Sequence, residues 1–319
     1  MNQRLLNRRQ FSARCAAFAV ALPGLSVLRA ASATAQVPGA QSKGAPTVKL
    51  PDGTTVPALG QGCWHLGQGR HPTAVEEEAL RTGMSRGMTL LDTSGNYGHG
   101  RSEEFLNHVI AGQRDRIFLV SKVEGDEVSG DGIARACAAS LARLGTDYLD
   151  LYLLHWPVPS AQFAGVVAGF EKLRAAKKIR SWGVSNFDVA QMEDLFRVPD
   201  GNRCATNQVP YSLNNRAIER DLLPWSKQHN VPVMAYSPLG GDHNLVVADK
   251  TLAQIGAGHG CSAAAVALAW VIRGANVIAI PESGSPAHAA ENAAALSITL
   301  SAADLQTLNK VFPGPSGAT

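Results

Sequence analysis

Cysteine, aromatic and charged residues are all scarce in this chain of 319 residues. There are 5 cysteines, with no Cys-x-x-Cys pair and no cluster of cysteine and histidine at metal-binding spacing. These absences exclude a disulfide framework and a zinc site, so we expect small buried apolar cysteines and no metal. Aromatic residues make up 6%, charged residues 17% and hydrophobic residues 45% of the chain. Such a balance is typical of a globular chain with a large core, and it excludes disordered, collagen-like and coiled-coil classes.

Long apolar runs and basic runs are missing from the body of the chain. The richest apolar stretch, Cys261 to Ile280, contains Arg273 and Asn276, whereas a membrane helix needs about 20 consecutive apolar residues. The formal charge of +3 includes five arginines in the first 35 residues, without which 24 basic residues face 26 acidic ones. The sequence therefore predicts no membrane anchor and no nucleic-acid binding.

The first 35 residues have the three-part layout of an export signal. A basic head contains Asn7-Arg8-Arg9-Gln10-Phe11, an apolar stretch runs from Cys15 to Leu28, and Ala33-Thr34-Ala35 forms an Ala-x-Ala cleavage site. The adjacent arginines resemble a twin-arginine signal, the alternatives being a Sec signal or a basic amphipathic start. We expect residues 1–35 to direct export through the twin-arginine machinery to the periplasm, with a cytoplasmic location if the signal is not used.

After a leader at residues 36–46 that we expect to be flexible, short apolar runs alternate with longer amphipathic stretches. First, Thr47 to Leu50 and Thr54 to Pro57 flank Asp52-Gly53, which predicts a β-hairpin. Eight apolar runs of strand length follow. They are Ala58–Gly62, Thr89–Asp92, Ile117–Lys122, Leu149–His155, Ser181–Ser185, Ala205–Val209, Val231–Tyr236 and Val277–Ile280.

Eight strands alternating with helices, without a linker-like break, predict one domain over residues 47–319. We expect an α/β fold, a (β/α)8 TIM barrel with an N-terminal β-hairpin. A doubly wound sheet is the alternative. It is disfavoured because no strand is followed by Gly-x-Gly-x-x-Gly, and Gly95, Gly98 and Gly100 have the wrong spacing for that motif.

Ionisable side chains follow three of these strands. Asp92 closes one strand with Tyr97 five residues later, Lys122 closes the next, and His155 closes a third. Each residue alone could be a helix cap, a surface residue or a hydrogen-bonded core residue, but in such a barrel all strand ends meet at one catalytic mouth. An ammonium beside Tyr97 would lower the pKa of the phenol and suit it to proton exchange with a carbonyl and alcohol couple. Asp92 would hold the lysine charged, and His155 would donate a hydrogen bond to the carbonyl oxygen.

Asp92-x4-Tyr97, Lys122 and His155 together resemble the catalytic tetrad of the aldo-keto reductases. Four further segments are similar to motifs of that family, within a resemblance that runs from about Lys49 to Phe312. They are 147–156, Gly183-Val184-Ser185-Asn186-Phe187, Asn207-Gln208 and Ala235-Tyr236-Ser237-Pro238-Leu239. The resemblance implies reversible NAD(P)H-dependent reduction of aldehydes and ketones, in which the nicotinamide gives hydride and Tyr97 gives the proton.

The resemblance also implies where the cofactor binds. Ser185, Asn186 and Gln208 would hold the carboxamide, and Tyr236 would stack on the nicotinamide ring. The full set of implied cofactor contacts is Ser185, Asn186, Gln208, Tyr236, Ser237, Leu239, Glu282, Ser283, His288, Glu291 and Asn292.

The sequence departs from the family pattern at the position that binds the 2′-phosphate of NADP. Members commonly carry a Lys-Ser pair after the last strand and an Arg six residues after the Lys, whereas here Glu282 replaces the Lys and His288 the Arg. A carboxylate repels phosphate but accepts a hydrogen bond from a ribose hydroxyl, so we predict a preference for NAD(H). The alternative is that Ser283, a protonated His288 and Asn292 still hold the phosphate.

The substrate class implied is a small carbonyl compound, such as an aldehyde, a 2-oxoaldehyde like methylglyoxal, or a sugar-derived carbonyl. Trp64 and Trp156 would line an open pocket, unless they only pack in the core. A nucleotide-binding regulatory or accessory barrel is the main alternative, and the intact tetrad argues against it. A barrel glycosidase would need a second acid facing Asp92 at the strand ends. A monomer is the default expectation.

Overall fold

The computed structural model describes residues 44–128, 131–241 and 246–315, so the predicted export signal and the leader as far as residue 43 lie outside it. An antiparallel hairpin of β1 (Thr47–Lys49) and β2 (Thr55–Pro57) opens the described chain. Gly53 supplies the left-handed turn residue, with φ of 90°, and Asp52 Oδ1 accepts a hydrogen bond from Thr54 N at 2.9 Å. The hairpin predicted from Asp52-Gly53 is confirmed.

The eight later strands of the described ranges are parallel and pair in chain order. They are β3 (Gln61–Gly62), β4 (Leu90–Asp92), β5 (Phe118–Val123), β6 (Leu149–Leu154), β7 (Ile179–Ser185), β8 (Asn207–Pro210), β9 (Val233–Tyr236) and β10 (Val277–Ala279). Gly60 N donates to Ala279 O at 2.8 Å and Gly62 N donates to Pro281 O at 2.9 Å, which joins the first of these strands to the last. The sheet is thus a nearly closed barrel, as predicted, and a doubly wound sheet is excluded.

Helices connect the strands on the outside of the barrel. They are α1 (Thr73–Ser85), α2 (Arg101–Ile110), α3 (Gly132–Leu144), α4 (Phe163–Ala175), α5 (Val189–Arg197), α6 (Leu222–His229), α7 (Lys250–His259), α8 (Ala263–Val271), α9 (Pro286–Ala293) and α10 (Ala302–Val311). Ser262 and Ser285 cap α8 and α9, each side chain accepting a hydrogen bond from a backbone N–H of the first turn. Across the ranges described, no single helix is long and apolar enough to cross a membrane, although α7 and α8 together reach that length with a bend of 90° between them.

Both faces of the strands are buried, in two apolar clusters. Leu90 belongs to one cluster and Leu91 to the other, and the same alternation holds for Leu153 and Leu154 of β6. This is the pattern of a parallel sheet covered by helices on its outer face. Three of the four described cysteines are buried and Cys261 is partly buried, all of them with free thiols. Within the described residues, no group of three or more His, Cys, Asp or Glu side chains is placed to hold a metal ion.

Candidate active site

Asp92, Tyr97 and Lys122 meet at the carboxyl ends of β4 and β5. Lys122 Nζ donates hydrogen bonds to Asp92 Oδ1 at 2.7 Å, to the Thr93 carbonyl at 2.8 Å and to Tyr97 Oη at 3.0 Å. An ammonium has three protons, and all of them are used. The side chain of Lys122 is fully buried and that of Asp92 is 3% exposed, so each charge depends on the other for its stability.

Strand register and a tight turn bring the three side chains together. Asp92 pairs with Val120 in the sheet, and Lys122 lies two residues further along β5 on the same face. Tyr97 begins a short 3-10 helix whose next residues, Gly98 and His99, have φ of 57° and 58°. These left-handed residues turn the chain sharply after Tyr97, whose hydroxyl lies 3.0 Å from Lys122 Nζ.

Burial raises the pKa of Tyr97 above its ordinary value of 10.0, and the Lys122 ammonium opposes this rise without cancelling it. The predicted net lowering of the pKa is therefore wrong, because the sequence did not reveal how deeply the phenol is buried. For Lys122, burial would lower the pKa, but the Asp92 carboxylate outweighs burial and the pKa is raised. The site thus holds a neutral phenol against a permanently charged ammonium.

His155 faces Tyr97 across the mouth and is held by Glu124, a residue that sequence reasoning missed. The His155 and Tyr97 rings meet edge to face with centroids 5.7 Å apart. His155 Nδ1 lies 2.5 Å from Glu124 Oε1, and we assign it as the donor because an ionised carboxylate only accepts. Glu124 follows Lys122 by two residues in extended backbone, so its place at the end of the strand was the available signal.

Replacing Glu124 with alanine is expected to lower kcat/KM for a carbonyl substrate by about ten- to a hundredfold, because the His155 ring loses the partner that fixes its orientation. Dinucleotide affinity should not change. Asp126→Ala is the matched control, since Asp126 is an exposed acid in the same turn. The test is the steady-state kinetics of the wild type and the two variants. Equal kcat/KM for Glu124→Ala and Asp126→Ala would show that His155 does not need Glu124 as a partner.

A cavity of about 620 Å³ opens above these side chains. Of the predicted site residues, those that line it are Trp64, Asp92, Tyr97, His155, Trp156, Ser185, Asn186, Gln208, Tyr236, Ser237, Leu239 and Glu282. Lining residues that were not predicted are Gly62, Cys63, His65, Arg70, Asn96, Pro238, Gly240, Ile280 and Pro281. The other predicted cofactor residues follow the lining segment at Ser283 and on α9, where His288 and Glu291 are exposed and Asn292 is buried.

The polar residues that are predicted to hold the carboxamide are joined by hydrogen bonds. Ser185 Oγ donates to the Gln208 carbonyl at 2.8 Å, and Asn186 Nδ2 donates to Ser185 Oγ at 3.1 Å. Tyr236 Oη donates to Asn186 Oδ1 at 3.0 Å, and Gln208 Nε2 donates to Asp92 Oδ2 at 2.8 Å. Asn186 has φ of 64°, in the left-handed region that asparagine adopts more readily than most non-glycine residues. All of these residues also line the cavity.

Trp64 and Trp156 stand on the rim rather than in the core, with 53% and 50% of their surface exposed. The Trp64 ring centroid is 6.5 Å from that of Tyr97, and Trp156 stacks on His155 at 5.7 Å. Glu282 lies on the same rim. Its Oε2 accepts a hydrogen bond from His65 N and its Oε1 lies 2.9 Å from His65 Nδ1, so a ribose hydroxyl would have to compete with His65 for this carboxylate.

Comparison with known proteins identifies the family. Residues 58–312 match the model of the Aldo/keto reductase family. The chain belongs to the aldo/keto reductase family. Among curated relatives, the Methylglyoxal reductase YeaE of Escherichia coli (strain K12) is 48% identical over 268 residues, covering 83% of this chain and 94% of that protein. An aldo-keto reductase of Mycobacterium sp. (strain KMS) is 33% identical over 275 residues, covering 85% of this chain and 95% of that protein.

Solved structures of the family agree with the barrel. The crystal structure of an aldo/keto reductase from Klebsiella pneumoniae in complex with NADP and acetate has a TM-score of 0.82 and 43% identity, covering 86% of this chain and 98% of that one. As an aldo-keto reductase, the chain is an NAD(P)H-dependent oxidoreductase of carbonyl compounds. The alternative of an accessory barrel without turnover is not favoured.

Proposed function

We propose that this aldo-keto reductase reduces small aldehydes and 2-oxoaldehydes, methylglyoxal among them, with Tyr97 as the proton donor. The observation that carries the proposal is the contact between the buried Lys122 Nζ and Tyr97 Oη, 3.0 Å apart beside the cavity that Tyr97 lines. The 48% identity with a methylglyoxal reductase supports a 2-oxoaldehyde substrate. The half-exposed Trp64 and Trp156 support an open pocket that suits small molecules. Turnover of a carbonyl panel with each dinucleotide tests the proposal; no reduction of any 2-oxoaldehyde would contradict the substrate class.

Asp92, Tyr97, Lys122 and His155 each have a separate role in the proposed reaction. When bound, the dinucleotide supplies hydride to the carbonyl carbon. Tyr97 gives its proton to the carbonyl oxygen, and the Lys122 ammonium stabilises the phenolate that remains. Asp92 keeps the ammonium charged and directed at the phenol. His155, held through Nδ1, places its other ring nitrogen towards the cavity to orient the carbonyl oxygen.

The residues present fit a nicotinamide dinucleotide. Ser185, Asn186 and Gln208 offer amide and hydroxyl groups beside the cavity for the carboxamide, and Tyr236 offers a ring for stacking. The lining of the cavity extends from these residues to Glu282, which follows β10.

We propose NAD(H) as the preferred cofactor. No Lys or Arg occurs between Val277 and Asn292, and Glu282 places a carboxylate at the rim of the cavity, where it would repel a 2′-phosphate. NADH is expected to bind on the order of tenfold more tightly than NADPH, and Glu282→Lys is expected to reverse the order. The measurement is the dissociation constant of each dinucleotide, by fluorescence titration at pH 7.5.

The control for charge alone is Asp115→Lys, because Asp115 is exposed just before β5, at the opposite end of the barrel. That variant should keep the wild-type preference. Tighter binding of NADPH than of NADH by the unmodified enzyme would contradict the proposed preference, and would point to Ser283, His288 and Asn292 as the phosphate site.

We further propose that the protein is exported as a monomer through the twin-arginine route to the periplasm. The support is the layout of residues 1–35, with Arg8-Arg9 ahead of the apolar stretch. When the gene for the whole sequence is expressed, the protein is expected in the periplasmic fraction, and the Arg8→Lys, Arg9→Lys double variant in the cytoplasm. Equal fractionation of the two chains would rule out this route, and gel filtration checks the oligomeric state.

A further inference from the structure

The loop between β3 and α1 is fastened to the segment that follows β10. Glu282 accepts from His65 with both oxygens, from the backbone N and from Nδ1, each at 2.9 Å. The backbones of Gly62 and Glu282 form a parallel β-bridge beside this contact. This bridge fixes the backbone that carries the Glu282 carboxylate. His65 stacks on Trp64, with ring centroids 4.2 Å apart and an angle of 28° between the planes.

The same loop has a second contact with that segment further along the chain. The His71 ring packs against Gly284 so closely that a Cβ at Gly284 would lie 2.5 Å from His71 Cδ2. Between the two contacts, Gly67 N donates to Glu76 Oε2 at 2.8 Å. Residues 65–71 therefore contact residues 282–284 at both ends, and between these contacts they are hydrogen-bonded to Glu76 of α1. We call the His65–Glu282 contact the clasp.

The clasp bears on the substrate pocket because Trp64 stands half-exposed on the rim. The residue is 53% exposed, so packing in the core holds only part of it. Its ring nonetheless lines the cavity close to Tyr97, with ring centroids 6.5 Å apart. The stacked ring of His65 supports Trp64, and Glu282 supports His65.

We propose that Glu282 is a specificity-determining residue for the carbonyl substrate, acting through His65 to position Trp64 against Tyr97. The inference rests on the proposed function, in which Glu282 also faces the ribose end of the dinucleotide. The Glu282 carboxylate then affects both the cofactor preference and the substrate specificity. A substitution of Glu282 that changes the cofactor preference also loosens Trp64 at the substrate pocket. Glu282 is a positioning residue in this role, since Trp64 makes the contact with substrate.

The test uses the full-length chain with Glu282→Ala, which removes the clasp, and Glu282→Gln, which keeps the size of the side chain but only one acceptor oxygen. Asp115→Ala is the matched control at the other end of the barrel. We expect KM for methylglyoxal to rise about five- to tenfold in Glu282→Ala and by a smaller factor in Glu282→Gln, with kcat changed less than KM. In a Trp64→Ala background the same substitutions should have no further effect on KM.

Two readouts do not depend on turnover. The His65 amide donates to Glu282, so its hydrogen exchange should be faster in Glu282→Ala than in the wild type. Arg70 is the sole Lys or Arg of residues 63–72 and is exposed, so trypsin should cut after it several times faster once the loop is released. Asp115→Ala should match the wild type in both.

The proposal is overturned if Glu282→Ala leaves the methylglyoxal KM, the His65 exchange rate and the Arg70 cleavage rate unchanged. It is also overturned if KM rises by the same factor with and without Trp64, because Glu282 would then act by another path. Failure of the proposed function is seen separately, as absence of carbonyl-dependent dinucleotide oxidation by the wild type, while the exchange and cleavage rates still report on the clasp.

Discussion

Tyr97→Phe is expected to lower kcat/KM for carbonyl reduction by about a thousandfold. The substitution removes a single oxygen atom, which is the proton donor beside the cavity and the acceptor of one Lys122 hydrogen bond. The ring stays between Trp64 and His155, so the shape of the pocket is retained. The rate is followed as oxidation of the dinucleotide by methylglyoxal below its KM.

The dissociation constant of the dinucleotide is the control for this substitution and should stay within about twofold of the wild type.

The pH dependence of the wild type gives a second check. Because burial raises the pKa of Tyr97 above its ordinary value, the phenol stays protonated at neutral pH. Titration of Tyr97 should therefore cause no loss of reduction around neutral pH, whereas alcohol oxidation, which needs the phenolate, should rise in alkaline solution. A Tyr97→Phe enzyme with wild-type kcat/KM would reassign the proton donor.

Lys122→Met is expected to be damaging in two ways. The free energy of unfolding should fall by about 3–5 kcal/mol, because the Asp92 carboxylate is left buried without its partner. Reduction should fall by at least about a hundredfold, because no cation remains to stabilise the Tyr97 phenolate. Chemical denaturation measures the first effect and steady-state kinetics the second.

The double variant Asp92→Asn, Lys122→Met separates the two effects. With both charges removed, no uncompensated ion is buried, so a large part of the lost stability should return. Activity should stay as low as in Lys122→Met, since the phenolate still lacks a cation. Wild-type stability in Lys122→Met would mean that the buried pair is not a structural element of the mouth, and recovered activity in the double variant would contradict the role of the ammonium.

Much of the fold follows from patterns within short segments. The turn at Asp52-Gly53 and the eight apolar runs each depend on neighbouring residues. In the structure, strands flank this turn and a strand overlaps each of the eight runs. The meeting of Asp92 and Lys122 could also be predicted, because both end strands and all strands of the barrel share one mouth.

Contacts made by loops could not be predicted in the same way. His65 and Glu282 are 217 residues apart, and His155 and Glu124 are 31 apart; neither pair lies within a strand. Their meeting depends on how a loop turns after its strand has ended, which the alternation of apolar residues does not report. The predicted direction of the Tyr97 pKa shift was wrong for a related reason, because burial of the phenol, which outweighs the effect of the Lys122 ammonium, is not visible in the sequence pattern.

The most direct measurement follows deuterium placed at the transferring position of the reduced nicotinamide. With the full-length enzyme and methylglyoxal, we predict that deuterium appears on the former carbonyl carbon, one atom for each dinucleotide oxidised, and that Tyr97→Phe forms this product about a thousand times more slowly. An alcohol without deuterium would contradict hydride transfer from the dinucleotide to the carbonyl carbon, and equal rates for the two enzymes would contradict proton donation by Tyr97.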